Sequence, residues 1–242
     1  MSIRRFFVTQ LLPALDDFRA NSSNRDIDHG TDVAIAARLA GILNSLPERV
    51  MLEIPQPLKT LLFRRDYHYR ESTWRECPAY EYVCDFAIAY KHETVSRPGR
   101  KIDRLEKAQP RAAYCIYRDS SGEYHGTQKL LWLKLLSGES VDLRRALMVS
   151  VAYWVIELFQ FGFIELIDPN RFAFSENMSR AEAEAQPNLR LHQIAGEQYG
   201  NLFHVLEYDY ETGFLRVPGP GTAFEISKNF DLVFTDSPFT AA

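Results

Sequence analysis

The sequence predicts an α+β protein, with an N-terminal helical bundle followed by a mixed region of β-hairpins and one long buried helix. Three observations carry this prediction. Apolar residues recur at helical spacing through the first hundred positions. After residue 110 the pattern changes to β-like runs separated by turn signatures such as Asp119-Ser120-Ser121-Gly122. Leu143, Leu147, Val151, Trp154, Val155 and Leu158 then mark one side of a long helix. Three consecutive spans follow from the same changes: a bundle over 1–108, a hairpin and buried helix packed on it over 109–174, and a polar linker with a β-rich tail over 175–242.

The first helix is expected over 3–19, with Ile3, Phe6, Phe7, Leu11, Leu15 and Phe18 on one face. Pro13 lies inside it and should kink or split it, because proline lacks the N–H that a helix interior uses. The polar residues 20–30 read as a loop, and Thr31 as the N-cap of a second helix that turns Val33, Ala36, Ala37, Leu39, Ala40 and Leu43 inward. A brief helix is expected from Leu58 to Arg65, then an exposed connector through the charged and aromatic residues up to Glu76. Pro78, at a first helical position, opens a helix that ends near His92, where Lys91 and His92 suit the negative end of the helix dipole.

Residues 112–117 and 124–136 are read as strands, 141–160 as a helix, and 163–174 as a small hairpin around Asp168-Pro169-Asn170. Residues 175–200 are the most polar stretch, with one helical turn at Ser179–Ala185. The tail offers a hairpin through LFHVLEYDY-ETG-FLRV. No internal repeat stands out.

Composition narrows the function. The 242 residues are 46% hydrophobic and 25% charged, enough for an ordinary core. A net charge of −4 supplies no global basic field for nucleic acid. Aromatic residues make up 13%, which favours core or partner surface. Three cysteines, Cys77, Cys84 and Cys115, form no disulfide framework and are read as reduced thiols in a cytoplasm. No signal peptide is read at the start, since Asp16 and Asp17 interrupt the apolar run. Ala146–Ile167 is long enough to span a bilayer, but Glu157, Gln160 and Glu165 fall within it, so a buried helix is expected and no membrane contact.

Candidate chemistry gathers in two places. Asp85, Lys91, His92 and Arg97 form a charged cluster at the end of the 78–92 helix; Asp85 and His92, seven apart, share a helical face. Histidine titrates near neutrality, so this is the candidate catalytic group for phosphate binding or RNA cleavage. Arg64, Arg65, Tyr67, His68, Arg70 and Trp74 interleave cations with aromatic rings, as a protein interface or a base-stacking surface does. Asp26, Asp28 and His29 lie together in a polar loop where aspartates cap helices, so no metal is assigned to them. No glycine-rich phosphate loop, nucleophile elbow or paired-histidine zinc motif is present, and no cofactor is expected.

The run Cys77-Pro78, Asp85, then Ala89-Tyr90-Lys91-His92, preceded by LLPALDDF and AIAARLAGILNSL, resembles uncharacterised bacterial helical-bundle proteins over residues 5–105. That resemblance implies a bundle and transfers no activity. A weaker likeness is to HEPN-type bundles, some of which are ribonucleases with an Arg-x4–6-His motif late in a helix. The matching spacing here is Arg118 to His125, in an expected turn; Arg25–His29 and Arg64–His68 are one residue short. Together these features point to a non-enzymatic interaction or scaffold component of a bacterial cytoplasmic assembly, with a protein partner or a second copy as its ligand. A HEPN-like ribonuclease or nucleic-acid-binding effector is the alternative.

Overall fold

A computed structural model describes residues 1–57, 59, 66–92, 100–165, 168–194, 203–220 and 230–235. The chain is α+β and forms two compact units, each assembled from separate stretches of sequence. The first comprises Met1–Asn21, Val33–Ala108 and Trp132–Phe174; the second comprises Ser22–Asp32, Gln109–Leu131 and Ser175–Ala242.

The first unit is built on helices. The opening helix is α1 (Ile3–Phe6) continued by a π-turn over Phe7–Leu11 into α2 (Leu12–Ser23). The π-turn is what Pro13 produces instead of a break: the ring carries no N–H, and widening the preceding turn lets the helix pass the missing bond. Helix α3 (His29–Asn44) and α4 (Leu46–Glu53) follow, then α5 (Asp66–Glu76) and α6 (Pro78–His92). The stretch expected as an exposed connector is thus helix α5, and it packs. Tyr69 and Thr73, one turn apart, are buried, and Tyr69 meets the rings of Trp154 and Phe161 edge-on at 6.2 and 6.3 Å.

The longest helix of this unit is α7 (Leu143–Gln160), capped by Asp142, whose Oδ1 accepts from Arg144 N at 3.0 Å. Its far end is closed by Gly162, at φ 72°, where the N–H groups of Gly162 and Phe163 reach back to Phe159 O and Leu158 O at 2.9 Å. That left-handed turn is the reason glycine stands there. Trp154 is fully buried between Tyr69 and Tyr80, and Tyr80 Oη donates to Leu43 O at 2.8 Å, which stitches α6 to α3. Among the described residues of 163–174, where a hairpin is expected, no strand forms: a turn follows α7, and Pro169–Phe172 is a short 3₁₀ helix, while Glu165 is followed by two residues, 166 and 167, outside the described ones. The last residues of strand β3 (Gly122–Lys134), Trp132–Lys134, pair antiparallel with β4 (Ser140–Asp142).

The second unit holds the β structure. β2 (Ala108–Asp119) and β3 (Gly122–Lys134) are neighbours joined through Gly122, at φ 111°. β6 (Phe203–Asp209) runs parallel to β2, from Ala112↔Phe203 to Ile116↔Glu207, and β7 (Phe214–Arg216) returns antiparallel to it. The expected tail hairpin is therefore present as β6–β7. A separate parallel sheet has the order β1 (Asp26–Ile27), β5 (Leu189–Ile194), β8 (Phe230–Thr235). The span 175–200, expected as a linker, thus contains the middle strand of a sheet as well as helix α8 (Arg180–Ala185), closed by a Ser179–Glu182 capping box. Ile27, Ala112, Leu189 and Leu191 bury together, with Phe230 against them.

An ion pair sits inside this unit. Lys129 Nζ lies 2.5 Å from Asp32 Oδ1, with the two side chains 3% and 4% exposed, and it also donates to Asp26 O at 2.7 Å. Asp32 in turn accepts from Asp28 N at 3.1 Å. Removing one member of such a pair strands the other charge in a dry interior. Lys129→Ala is expected to cost about 3–5 kcal/mol in urea unfolding, while Lys129→Met combined with Asp32→Leu recovers part of that loss. A single variant as stable as the parent would contradict this.

Candidate functional site

The structure places the predicted catalytic residues apart. Asp85 points into the first unit, 5% exposed, where Arg100 Nη1 donates to its Oδ1 at 2.7 Å and Lys101 N to its Oδ2 at 2.6 Å. It fastens α6 to the segment after it. Burial pushes its carboxyl above the usual carboxylate range, against the pull of the Lys101 amide and Arg100. Lys91 and His92 lie on the exposed last turn of α6. Seven residues advance roughly 10 Å along a helix, so sharing a face does not bring Asp85 and His92 together. Arg97 lies outside the described residues.

The predicted binding strip is redistributed in the same way. Arg64 and Arg65 lie outside the described residues, as does the side chain of Tyr67. Arg70 is a clamp: its guanidinium donates to Asn44 Oδ1 at 2.7 Å, to Asn44 O at 3.1 Å and to Glu48 at 3.2 Å. His68 and Trp74 are half-buried on α5. A connector would present these cations and rings as one surface; the turns of helix α5 divide them between core and rim.

Arg118 and His125, which match the ribonuclease spacing, lie on β2 and β3 rather than late in a helix. Both reach Glu123, at 3.6 and 2.9 Å. Asp26 is taken by Arg190 at 2.6 Å and His192 at 2.8 Å, while Asp28 Oδ1 accepts from Thr31 N at 2.7 Å and so caps α3. Among the described residues no cluster of histidine, cysteine and carboxylate groups has the arrangement of a metal site. All three cysteines are buried, and burial pushes the Cys77 and Cys84 thiols up, away from thiolate chemistry.

The arrangement that sequence reading missed lies along α7. Its core side carries Leu143, Leu147, Met148, Val151, Trp154 and Leu158, all buried. Its other side carries Val149, Ala152 and Tyr153, half-buried, then Ile156 at 56% and Phe159 at 43% exposure. Beside this apolar stripe stand two carboxylates. Tyr153 Oη donates to Glu76 at 2.9 Å and Tyr69 Oη to Glu157 at 3.3 Å. Burial, and then the charge of Glu76, push the Glu157 carboxyl above its usual range. Burial and the nearby carboxylates push both tyrosines far up, so they remain donors. No cation among the described residues pairs with either glutamate. The sequence signal was present: a helix apolar on every side carries more greasy surface than one core face uses.

Among the described residues no helix is long and apolar enough to cross a membrane. No family model, curated protein or solved structure matches the chain.

The raised Glu157 carboxyl fixes the sign of a pH effect. The folded state holds this proton more tightly than the unfolded state, so the contribution is full below the ordinary value of 4.5 and is lost as pH rises through the raised one. Glu157→Gln keeps an acceptor for Tyr69 and removes the repulsion with Glu76. Thermal unfolding across pH should show the variant more stable than the parent at pH 7, with the two curves converging below 4.5. A difference that persists unchanged in acid would refute the assignment.

Proposed function

We propose that this chain is a non-enzymatic protein-interaction component of a larger assembly and that the outward side of α7 is its docking surface. The observation carrying this reading is that stripe. An aliphatic or aromatic side chain of this size left in water forgoes roughly 1.5–3 kcal/mol relative to burial. Single exposed apolar residues are ordinary, but Val149, Ala152, Tyr153, Ile156 and Phe159 fall on one side of one helix, and contiguous apolar surface marks partner sites. Tyr153 adds the amphipathic ring that interfaces favour.

The polar chemistry supports the same reading over a nuclease. Asp85 is occupied by Arg100 and the Lys101 amide, and Arg70 by Asn44 and Glu48. Arg118 is divided between Glu207 and Glu123. Groups held this way act as fasteners.

Replacing Ile156 by Asp together with Phe159 by Ser tests the proposal. Neither side chain is in the core, so far-UV circular dichroism and the melting temperature should stay close to those of the parent. Complexes recovered with the tagged chain should be lost. A variant that keeps its full set of complexes contradicts the reading.

A further inference from the structure

We infer that Met178 is an oxidation-sensitive latch: hydrogen peroxide converts its thioether to a sulfoxide and releases the strap that this residue holds on the β2–β3 hairpin. The strap is the run 175–179, without regular structure, that leads into α8. Side chains of the hairpin grip it at three points. Tyr117 Oη and Gln128 Nε2 donate to Glu176 O at 3.1 and 3.0 Å. Tyr124 Oη donates to Met178 O at 2.6 Å. Asp119 takes the Arg180 guanidinium at 2.7 and 2.9 Å, and that group stacks over the Tyr124 ring. The strap in turn holds β7, because Glu176 Oε2 accepts from Leu215 N at 2.6 Å.

At the centre of these contacts the Met178 sulfur sits on Gly126. A Cβ at position 126 would lie 2.7 Å from Sδ and 3.4 Å from Tyr117 Cε2, so β3 carries glycine where the thioether is seated. The seat suits sulfur and rejects a sulfoxide. A thioether packs well against an aromatic ring. A sulfoxide oxygen is polar, and the hydroxyls that hold the strap are already committed, Tyr117 to Glu176 O and Tyr124 to Met178 O. The new oxygen gains a hydrogen bond by turning to water, which lifts the sulfur off Gly126.

Access singles out the same residue. Of the four methionines, Met51 and Met148 are buried in the first unit, and Met1, 63% exposed, lies against Thr9, away from the strap. Met178 is half-buried, so a small oxidant reaches it. The step balances without a cofactor. The sulfur lone pair attacks one peroxide oxygen, an S–O bond forms as the O–O bond breaks, and sulfur loses two electrons. The departing hydroxide leaves as water with the proton of the transferred oxygen.

Hydrogen–deuterium exchange of the full chain before and after peroxide tests the latch, with mass spectrometry locating the added oxygen. Met178 is expected to gain it. Amide exchange should then rise roughly ten-fold in peptides covering 175–182 and 214–216, the effect of one buried acceptor left without a partner. Methionine sulfoxide reductase should reverse both changes. Met178→Leu removes the sulfur and keeps an apolar contact, so peroxide should leave its exchange unchanged. Gly126→Ala unseats the sulfur by itself, so its strap should exchange faster before oxidation and gain nothing further after it. The inference is overturned if Met178 stays reduced while Met1 is oxidised, if the oxidised strap exchanges as slowly as the reduced one, or if Met178→Leu opens to the same extent under peroxide.

Discussion

The burial of Trp154 between two tyrosines holds the helical unit in register. Tyr80 and Tyr69 meet the indole edge-on at 5.5 and 6.2 Å, each from a different helix, so one ring fixes α5, α6 and α7 against each other. Tyr80 extends the constraint to α3 through Leu43 O. Every later property of α7 follows from this anchor. With Trp154 fixed inward, helical geometry sends positions 149, 152, 153, 156 and 159 outward, and it brings Tyr153 and Glu157 to Glu76 at the end of α5. The outward apolar stripe and the carboxylate pair are thus the reverse side of one packing decision.

The second unit depends on a different kind of constraint. Its strands pair across distant parts of the sequence: Asp26 aligns with Arg190, and Ala112 with Phe203. Between them Ile27, Ala112, Leu189 and Leu191 bury together. Polar bonds add the specificity. Arg25 donates to Thr127 O and Pro187 O at 3.1 Å, Asp26 takes Arg190 and His192, and Lys129 joins Asp32 to Asp26 O. The polar stretch before α3 is therefore a structural hub, and its aspartates are spent on the fold.

This difference explains what the sequence revealed and what it hid. Helices α6 and α7, the β2–β3 strands and the β6–β7 hairpin were legible because their signals are local: a proline start, a helical period, a turn with glycine. Strand β5 was hidden inside the most polar stretch, although Leu189 and Leu191 alternate correctly, because its partners lie more than thirty residues away on either side and parallel pairing leaves no local mark. Helix α5 was hidden by its charge; among its described side chains only Tyr69 and Thr73 are buried. The candidate site failed for a related reason. Periodicity places Asp85 and His92 on one face but cannot show that the core ends between them, leaving one buried on Arg100 and the other in water.

Placement of charge separates the two roles that polar residues play here. Asp85 and Lys129, both buried, are matched by Arg100 and Asp32, each within 2.7 Å. Exposed Glu76 and half-buried Glu157 instead repel each other and accept from tyrosine hydroxyls. Folding gains nothing from that repulsion, and the pair lies beside the apolar outward side of α7. A feature that costs stability and borders uncovered hydrophobic surface is accounted for when both belong to a contact formed after folding. In the proposed contact Ile156 and Phe159 leave water, so the hydrophobic gain arrives on docking.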